Sequence, residues 1–306
     1  MIEIKNLCKS YGDKKAVKGI SFKVEKGEIL GLLGPNGAGK TTTMNMITGY
    51  ISMSEGSVTV NGADIMEKPM EAKKMIGYLP EQPPLYLDMT VIEYLSFVYD
   101  LKKVKLNISK NDHITDVLRT VSIENVKNRK IKNLSKGYRQ RVGFAQAIIG
   151  KPEVLILDEP TVGLDPNQIV EIRDVIKSLR KDHTIIFSTH ILSEADEICD
   201  RVAVINNGKI VAMGTTEELI NAAGTDVKIS MSVDKYDDLL QKELEELPDV
   251  TSVTDLGKGE FVIKAKRDVS KSIFKLCHDK SIFVLSFKSD VPTLETVFVK
   301  LTQMGV

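Results

Sequence analysis

The sequence has no excess of charge of either sign, because 42 Lys and Arg residues balance 42 Asp and Glu residues. This balance argues against a protein that binds nucleic acid through its overall charge. The sequence also has no Cys-x-x-Cys pair, and we interpret its three widely separated cysteines as reduced thiols of a cytosolic protein. No apolar run approaches the roughly 18 residues that a membrane span needs, and the N-terminus lacks the apolar stretch of a signal peptide. We therefore expect the protein to stay in the cytoplasm.

The chain has 306 residues, of which 42% are hydrophobic and 27% are charged, as in soluble globular proteins. Residues 1–222 alternate short strand patterns with helical ones, which predicts a parallel α/β core. Within this domain, residues 84–150 carry apolar residues at helical spacing, which predicts a helical insertion. Residues 28–33 form a nearly continuous apolar run, typical of a central strand that is buried on both faces.

A second domain is predicted over residues 226–306, after a boundary near Gly224. The pattern there is βαββαβ with one further helix, which indicates a small α+β domain of the ferredoxin-like type. It carries no catalytic constellation, and the isolated Cys277-His278 pair lacks the spacing of a metal site. We expect this domain to regulate or to dimerise.

A glycine-rich segment directly follows the buried strand and directly precedes a helix. It fits the pattern G-x-x-x-x-G-K-[ST], in which glycines let backbone N–H groups approach phosphate oxygens and the helix N-terminus adds a favourable dipole. Lys40 would then bind the β- and γ-phosphates, and the Thr41 hydroxyl would ligate Mg²⁺. The predicted nucleotide-binding residues of this segment are Gly34, Pro35, Asn36, Gly37, Ala38, Gly39, Lys40, Thr41 and Thr42.

Two acidic residues end another apolar strand pattern. Asp158 follows the run Val154–Leu157 and would lie at the carboxyl edge of a parallel sheet, where it can hold Mg²⁺. Glu159 comes next and could polarise the water that attacks the γ-phosphate. Taken alone, the pair could also be a turn residue and a solvated neighbour, but the phosphate loop upstream favours the catalytic interpretation.

In their order and spacing these motifs resemble those of the ATP-binding cassette (ABC) ATPases, and the resemblance spans residues 1–222. It implies an antiparallel β subdomain beside the parallel α/β core. Tyr11 matches the aromatic residue that stacks on adenine, Asp165 lies in a Gly-Leu-Asp similar to the D-loop, and His190 closes a Ser-Thr-His similar to the switch motif. The segment similar to the family's signature, usually written LSGGQ, is Leu134, Ser135, Lys136, Gly137 and Tyr138.

The resemblance implies that two subunits close head to tail on two ATP molecules, as a homodimer or as a heterodimer with a second ABC ATPase. Ser135 and the backbone of Gly137 would contact the γ-phosphate bound to the opposite subunit, and His190 would sense it. ATP and Mg²⁺ are the implied cofactors.

The sequence departs from the family pattern in two motifs. Lys136 and Tyr138 replace a second Gly and a Gln of the signature, while the Ser and Gly expected to contact phosphate are kept. At the Q-loop, Glu81 occupies the expected position of Gln and Gln82 follows it, so either residue could reach Mg²⁺ and water.

Within the family the chain is most similar to the separate ATPase subunits of ABC-2 type exporters. It has one cassette and no membrane span, and the segments PPLYLDMTVIEYL and PTLETVFVKLT are typical of that group. The resemblance implies a membrane permease on another chain and a peripheral position on the cytoplasmic face of the membrane. Leu85, Tyr86 and the helix that begins near Thr90 are the expected docking surface, although these residues could equally pack the helical insertion.

The alternative is a soluble ABC ATPase that acts on ribosomes or nucleic acid. Ribosome-associated members carry two cassettes, whereas this chain has one phosphate loop. In DNA-repair members a long coiled coil separates the phosphate loop from the signature. In this chain these two motifs are too close in sequence to enclose a long coiled coil. A P-loop GTPase is excluded because no Asn-Lys-x-Asp is present.

Overall fold

The structure, a computed structural model, describes residues 1–222, 226–236, 238–290 and 293–303. The chain folds as two units, of which the first is Met1–Thr215 and the second begins at Thr216. In these described ranges no helix combines the length and the apolar character that crossing a lipid bilayer requires.

Strands and helices alternate through most of the first unit, as the sequence pattern predicts. Its strands are β1 (Ile2–Tyr11), β2 (Lys14–Val24), β3 (Ile29–Leu33), β4 (Glu55–Val60), β5 (Ala63–Asp64), β6 (Ile76–Leu79), β7 (Val154–Asp158), β8 (Thr184–Thr189), β9 (Arg201–Asn206) and β10 (Lys209–Gly214). Its helices are α1 (Lys40–Ile47), α2 (Pro69–Lys74), α3 (Val91–Leu101), α4 (Lys110–Thr120), α5 (Lys136–Ile148), α6 (Pro166–Leu179) and α7 (Leu192–Ile198).

Two sheets organise this unit. Four antiparallel strands form the first, in the order β2-β1-β4-β5. The second has six strands in the order β10-β9-β3-β8-β7-β6, in which only the β9–β10 pair is antiparallel. The predicted combination of an antiparallel subdomain with a parallel α/β core is therefore confirmed.

The central strands of the six-stranded sheet are buried along their whole length, which explains their apolar runs. Every residue of β3, β7 and β8 is buried. Because β3, β7 and β8 are parallel neighbours, their carboxyl ends meet at one edge of the sheet. The loops that follow these three strands carry most of the candidate site.

The helical insertion contains α3, α4 and α5, together with two short 3-10 helices at Glu124–Val126 and Ile131–Asn133. Side-chain caps begin each of the three α-helices. Thr90 and Glu93 form a capping box at α3, and Ser109 and Ser135 cap α4 and α5. These hydroxyls and carboxylates satisfy N–H groups that have no partner inside the helix.

The second unit has the ferredoxin-like topology that its sequence pattern predicts. Its strands are β11 (Val227–Val233), β12 (Val250–Gly257), β13 (Glu260–Ala265) and β14 (Val284–Asp290), and its helices are α8 (Thr216–Ala222), α9 (Asp238–Glu245), α10 (Ser270–Asp279) and α11 (Leu294–Gln303). The strand order is β12-β13-β11-β14 and each adjacent pair is antiparallel. Helix α8 belongs to this unit and packs against α11, so the unit begins before the boundary expected near Gly224.

Candidate functional site

The phosphate loop wraps tightly between β3 and α1. Gly39 caps α1 with φ 113°, a left-handed conformation that side chains strongly disfavour. At Gly34 a Cβ atom would lie only 2.4 Å from the carbonyl oxygen of Ile205. The loop therefore needs glycine at these two positions.

Lys40, the first residue of α1, is buried, and its ammonium group contacts both a carbonyl oxygen and a carboxylate. Its Nζ atom donates to the carbonyl oxygen of Gly34 at 2.8 Å and lies 3.4 Å from Oε1 of Glu159. This contact joins the phosphate loop to the end of β7. The cation needed for phosphate binding is thus held in place by a carbonyl and a carboxylate.

Asp158, at the carboxyl end of β7, is a buried carboxylate with one oxygen bound and one left without a partner. Ser188 donates to its Oδ1 atom at 2.5 Å, whereas its Oδ2 atom is buried and accepts no hydrogen bond from the described part of the chain. Burial raises the pKa of Asp158, and the nearby hydroxyl of Ser188 partly offsets this. Such an orphaned carboxylate oxygen is suited to a cation.

Glu159 has a strained backbone that the neighbouring strand holds in place. Its φ of 47° lies in the left-handed region, which is uncommon for a residue other than glycine. Its N–H group donates to the Ser188 hydroxyl at 2.9 Å, and its Oε2 atom lies 2.7 Å from Nδ1 of His190. Lys40, Glu159 and His190 therefore form a continuous chain of contacts.

A cavity of about 830 Å³ opens above the phosphate loop, within the range of volumes that hold cofactor-sized ligands. Its walls come from β1, β2, the phosphate loop, the ends of β6 and β7 and the turn between β9 and β10. It is lined by Tyr11, Asp13, Lys14, Lys15, Ala16, Lys18, Asn36, Gly37, Gly39, Lys40, Thr41, Thr42, Glu81, Glu159, Asn207 and Gly208.

Tyr11 and the two Q-loop candidates occupy different positions relative to this cavity. Tyr11 lines it with an exposed ring, and the ammonium group of Lys9 lies 5.3 Å from the ring centroid. Glu81 also lines the cavity, whereas Gln82 does not. The geometry therefore favours Glu81 over Gln82 as the residue that faces a bound nucleotide.

The signature residues lie outside the cavity of their own subunit, because none of residues 135–138 lines it. The Ser135 hydroxyl accepts from the N–H group of Tyr138 at 3.4 Å and so begins α5. Gly137 is buried so closely against Gln168 that a Cβ atom would lie 2.4 Å from the Gln168 amide oxygen. The signature is thus presented on the N-terminal end of a helix, outside the cavity above the local phosphate loop.

The D-loop lies beside the signature, and the side chain of Lys136 contacts it. Asp165 caps α6 and accepts from the N–H group of Gln168 at 2.9 Å. The side chain of Lys136 extends over Gly163, so close that a Cβ atom there would contact its Nζ atom. Two of the predicted motifs therefore form one continuous surface.

The chain matches the family model described as ABC transporter over residues 17–162. It is 36% identical over 302 residues to YxlF of Bacillus subtilis, an ABC transporter ATP-binding protein, with 98% of this chain and 99% of that protein covered. The chain is an ATP-binding subunit of the ABC transporter family. Linearmycin resistance ATP-binding protein LnrL of the same organism is 34% identical over 311 residues, with 99% and 98% covered.

The solved structures agree with this membership. A dimeric, post-hydrolysis ATP-binding cassette, MJ0796 bound to ADP and phosphate, superposes with a TM-score of 0.64 at 25% identity, with 70% of this chain and 98% of that chain covered. As an ABC ATP-binding subunit, the present chain is an ATP hydrolase, and subunits of this family dimerise and work with membrane permeases.

The cavity of this ABC cassette also contains residues that no sequence motif indicates. Lys14, Lys15 and Lys18 of β2 surround the cavity and favour an anionic ligand. Asn207 and Gly208 reach it from a hairpin turn, and the N–H group of Gly208 donates to the carbonyl oxygen of Ala38 at 2.9 Å. The Asn-Gly pair signals a turn in the sequence, but no sequence pattern places that turn against the phosphate loop.

Proposed function

We propose that this subunit powers an ABC-2 type exporter by closing head to tail on ATP, as a homodimer or with a second ABC ATPase. The observation that carries this proposal is the placement of the signature outside its own cavity. Ser135 and Gly137 stand at a helix N-terminus that can bind phosphate only if the phosphate belongs to another subunit. Hydrolysis then requires a dimer.

Within each closed site, this chain supplies binding, orientation and a base. Lys40 exchanges its carbonyl and carboxylate contacts for phosphate oxygens, and Tyr11 stacks on adenine. Glu159 is freed from Lys40 by this exchange and polarises the attacking water. His190, already bound to Glu159, contacts the γ-phosphate and reports its loss, which loosens the dimer.

The residues at the end of β7 fit a magnesium ion. Asp158 offers a buried oxygen without a partner, and the Thr41 hydroxyl stands near the same carboxylate. We assign Mg²⁺ binding to Thr41 and Asp158, with Glu81 at the cavity wall. When bound, the ion would neutralise negative charge on the phosphate oxygens.

Mixing two inactive variants tests the head-to-tail dimer. Lys40→Ala removes the phosphate lysine, and Ser135→Arg blocks the signature. Each variant alone should lack ATPase activity, but their mixture forms heterodimers in which one site has an intact phosphate loop and an intact signature. Recovery of activity on mixing supports the proposal, whereas two variants that stay inactive together contradict it.

A separate observation supports docking to a membrane permease. An exposed apolar surface, the α3 patch, lies on and before α3, and the Tyr86 and Phe97 rings meet edge to face in it, with centroids 5.5 Å apart. Exposed apolar surfaces of this kind mark binding sites. The α3 patch consists of Tyr86 and Phe97, with Leu101 one turn after Phe97 on the same face of α3, and all three side chains are exposed.

The two residues expected to dock differ in the structure. Tyr86 is 56% exposed, but Leu85 packs against the core of the helical insertion. We therefore assign docking to the α3 patch and a packing role to Leu85. An exporter also fits the resistance for which LnrL is named, since LnrL and this chain match over nearly their whole lengths.

Affinity purification from detergent-solubilised native membranes tests the permease. A polytopic membrane protein should accompany the wild-type chain, and Tyr86→Asp should lose it while keeping its ATPase activity. Tyr50→Asp is the matched control, because Tyr50 is a 78% exposed tyrosine outside the α3 patch. Ribosomal or only soluble partners would contradict the exporter assignment without affecting the ATPase.

A further inference from the structure

Glu194 is a fully buried carboxylate that neither the family motifs nor the site described above accounts for. It lies on α7, four positions after His190, and its exposure is 0%. Ionisable side chains are rarely buried to this extent unless they are paired. In the described part of the chain it makes no ion pair, and its Oε1 atom has no hydrogen-bond partner.

The other oxygen of Glu194 binds two hydroxyl groups, one from the loop that follows β7 and one from the last residue of β8. Its Oε2 atom accepts from Thr161 at 3.0 Å and from Thr189 at 2.9 Å. Thr161 lies two residues after Glu159, in the segment that leads to Asp165. Thr189 directly precedes His190. One oxygen atom therefore joins the segment after the proposed base to the segment that carries the proposed switch histidine.

These contacts lie at the end of the β7–β8 ladder. The last paired residues of β7 and β8 are Asp158 and Ser188. One further backbone hydrogen bond, from the N–H group of Glu159 to the carbonyl oxygen of Ser188 at 3.2 Å, follows that pair. The bridge through Glu194 connects Thr161 with Thr189, one step beyond this last backbone hydrogen bond.

Thr189 also restrains the turn around His190. Its hydroxyl donates to Glu194 and accepts from the N–H group of Ile191 at 3.0 Å. The Thr189 hydroxyl therefore links the residue before His190 to the residue after it. In the loop that follows β7, the N–H group of Leu164 donates to the carbonyl oxygen of Thr161. The Glu194 carboxylate, which binds Thr161, therefore also restrains the segment that leads to the D-loop.

We infer that Glu194 is a positioning residue that holds Glu159 and His190 in the relative geometry needed for ATP hydrolysis. Burial of a carboxylate costs free energy that burial of an apolar side chain does not, so packing alone does not explain a carboxylate at this position. The inference rests on the roles proposed above for Glu159 and His190.

The decisive experiment separates turnover from nucleotide binding and from stability. Glu194→Ala should lower kcat roughly 10- to 100-fold while leaving the KM for ATP unchanged, because displacement of a reacting group by about 1 Å has effects of this size. Glu194→Gln keeps an acceptor oxygen for both hydroxyls and should restore most of kcat. Wild-type kcat in Glu194→Ala would overturn the inference.

Ile198→Ala is the matched control, because Ile198 is a buried apolar residue of the same helix that lies outside the hydrogen-bond network. It should lower the melting temperature without lowering kcat. If it lowers kcat as much as Glu194→Ala does at a comparable loss of stability, the role of Glu194 is structural only.

Two further variants keep the test decisive if Glu194→Ala does not fold. Thr161→Val with Thr189→Val removes both donors at nearly constant volume and should reproduce the loss of kcat, whereas Thr161→Ser with Thr189→Ser should retain activity. Full turnover in the valine double variant would overturn the inference. Glu159→Gln is measured in parallel. Full turnover in Glu159→Gln would show that Glu159 is not the base. An inactive Glu159→Gln together with an active Glu194→Ala would overturn only the positioning role of Glu194.

Discussion

The Nδ1 atom of His190 lies 2.7 Å from Oε2 of Glu159, so the switch histidine already contacts the carboxylate that we assign as the base. The Glu159 carboxylate is buried, whereas about half of the His190 side chain is exposed toward solvent. The histidine can therefore reach a phosphate while it stays bonded to the carboxylate. This contact links the state of the nucleotide to the position of the base.

Replacement of His190 by alanine should abolish most turnover and leave ATP binding nearly intact. The phosphate loop and Lys40 bind the nucleotide without the imidazole, whereas alignment of Glu159 depends on it. We expect kcat to fall at least roughly 10²-fold, the usual size of a lost acid–base or positioning group, with little change in the ATP dissociation constant.

His278→Ala is the control for this prediction, since His278 is an exposed histidine of the second unit with 88% of its side chain accessible. It should behave as wild type. A His190→Ala enzyme that keeps its kcat would remove His190 from the hydrolytic site.

Lys40→Ala should weaken ATP binding at least roughly tenfold, because a charge-assisted hydrogen bond to phosphate contributes about 1.5–3 kcal/mol. Turnover should be lost as well. Equilibrium titration with a fluorescent ATP analogue measures the first effect. Lys26→Ala is the comparison, because Lys26 is exposed and does not line the cavity; equal affinities of the two variants would contradict the prediction.

The sequence predicts most of the fold because its long elements bury one face or both. The apolar run of β3 and the helical period of α6 reflect burial directly. The short helix α7 escaped prediction because seven residues are too few to establish a helical period. Its buried polar residue, Glu194, also interrupts the apolar pattern.

The site could be predicted only as far as local motifs reach. The phosphate loop and the Asp158-Glu159 pair are recognisable because the strand next to each motif fixes its place at the edge of the sheet. The Ser188–Asp158 hydrogen bond joins residues distant in sequence, and no spacing rule reveals it. Glu81 and Leu85 lie in an irregular loop, where neither period nor register indicates which side chain faces the cavity and which faces the core.

Lys102→Met should destabilise the helix that carries the signature. The ammonium group of Lys102 donates to the carbonyl oxygens of Gln146 at 2.8 Å and Ile149 at 3.1 Å, which lie at the C-terminal end of α5. Cations stabilise helix C-termini. We expect a loss of about 1–3 kcal/mol in the free energy of unfolding, since buried carbonyls lose a charged donor.

Urea denaturation of the first unit measures this loss. Lys103→Met is the control, because Lys103 is the exposed neighbour of Lys102 and makes no ion pair within the described residues. Equal stability of the two variants would show that Lys102 does not hold the end of α5.

Mild acid should destabilise the first unit through His113. This histidine is buried in the helical insertion, where its Nε2 atom accepts from the N–H group of Gly150 at 3.0 Å. Burial lowers the pKa of His113, with a smaller contribution from the nearby charge of Lys151. The unfolded chain therefore binds a proton at a higher pH than the folded chain does.

The free energy of unfolding should accordingly fall as the pH drops from about 6.5 toward the lowered pKa of His113, and this contribution should stop changing below that pKa. The expected loss is about 1.4 kcal/mol for each pH unit that separates the two values. His113→Gln keeps an acceptor for Gly150 but cannot titrate, so its stability should depend less on pH over this range. Burial also lowers the pKa of His183, so the free energy of unfolding of His113→Gln should still fall in acid, but less steeply than that of the wild type. Denaturant midpoints at several pH values measure both slopes, and identical slopes for wild type and His113→Gln would show that His113 is not the group that responds to acid.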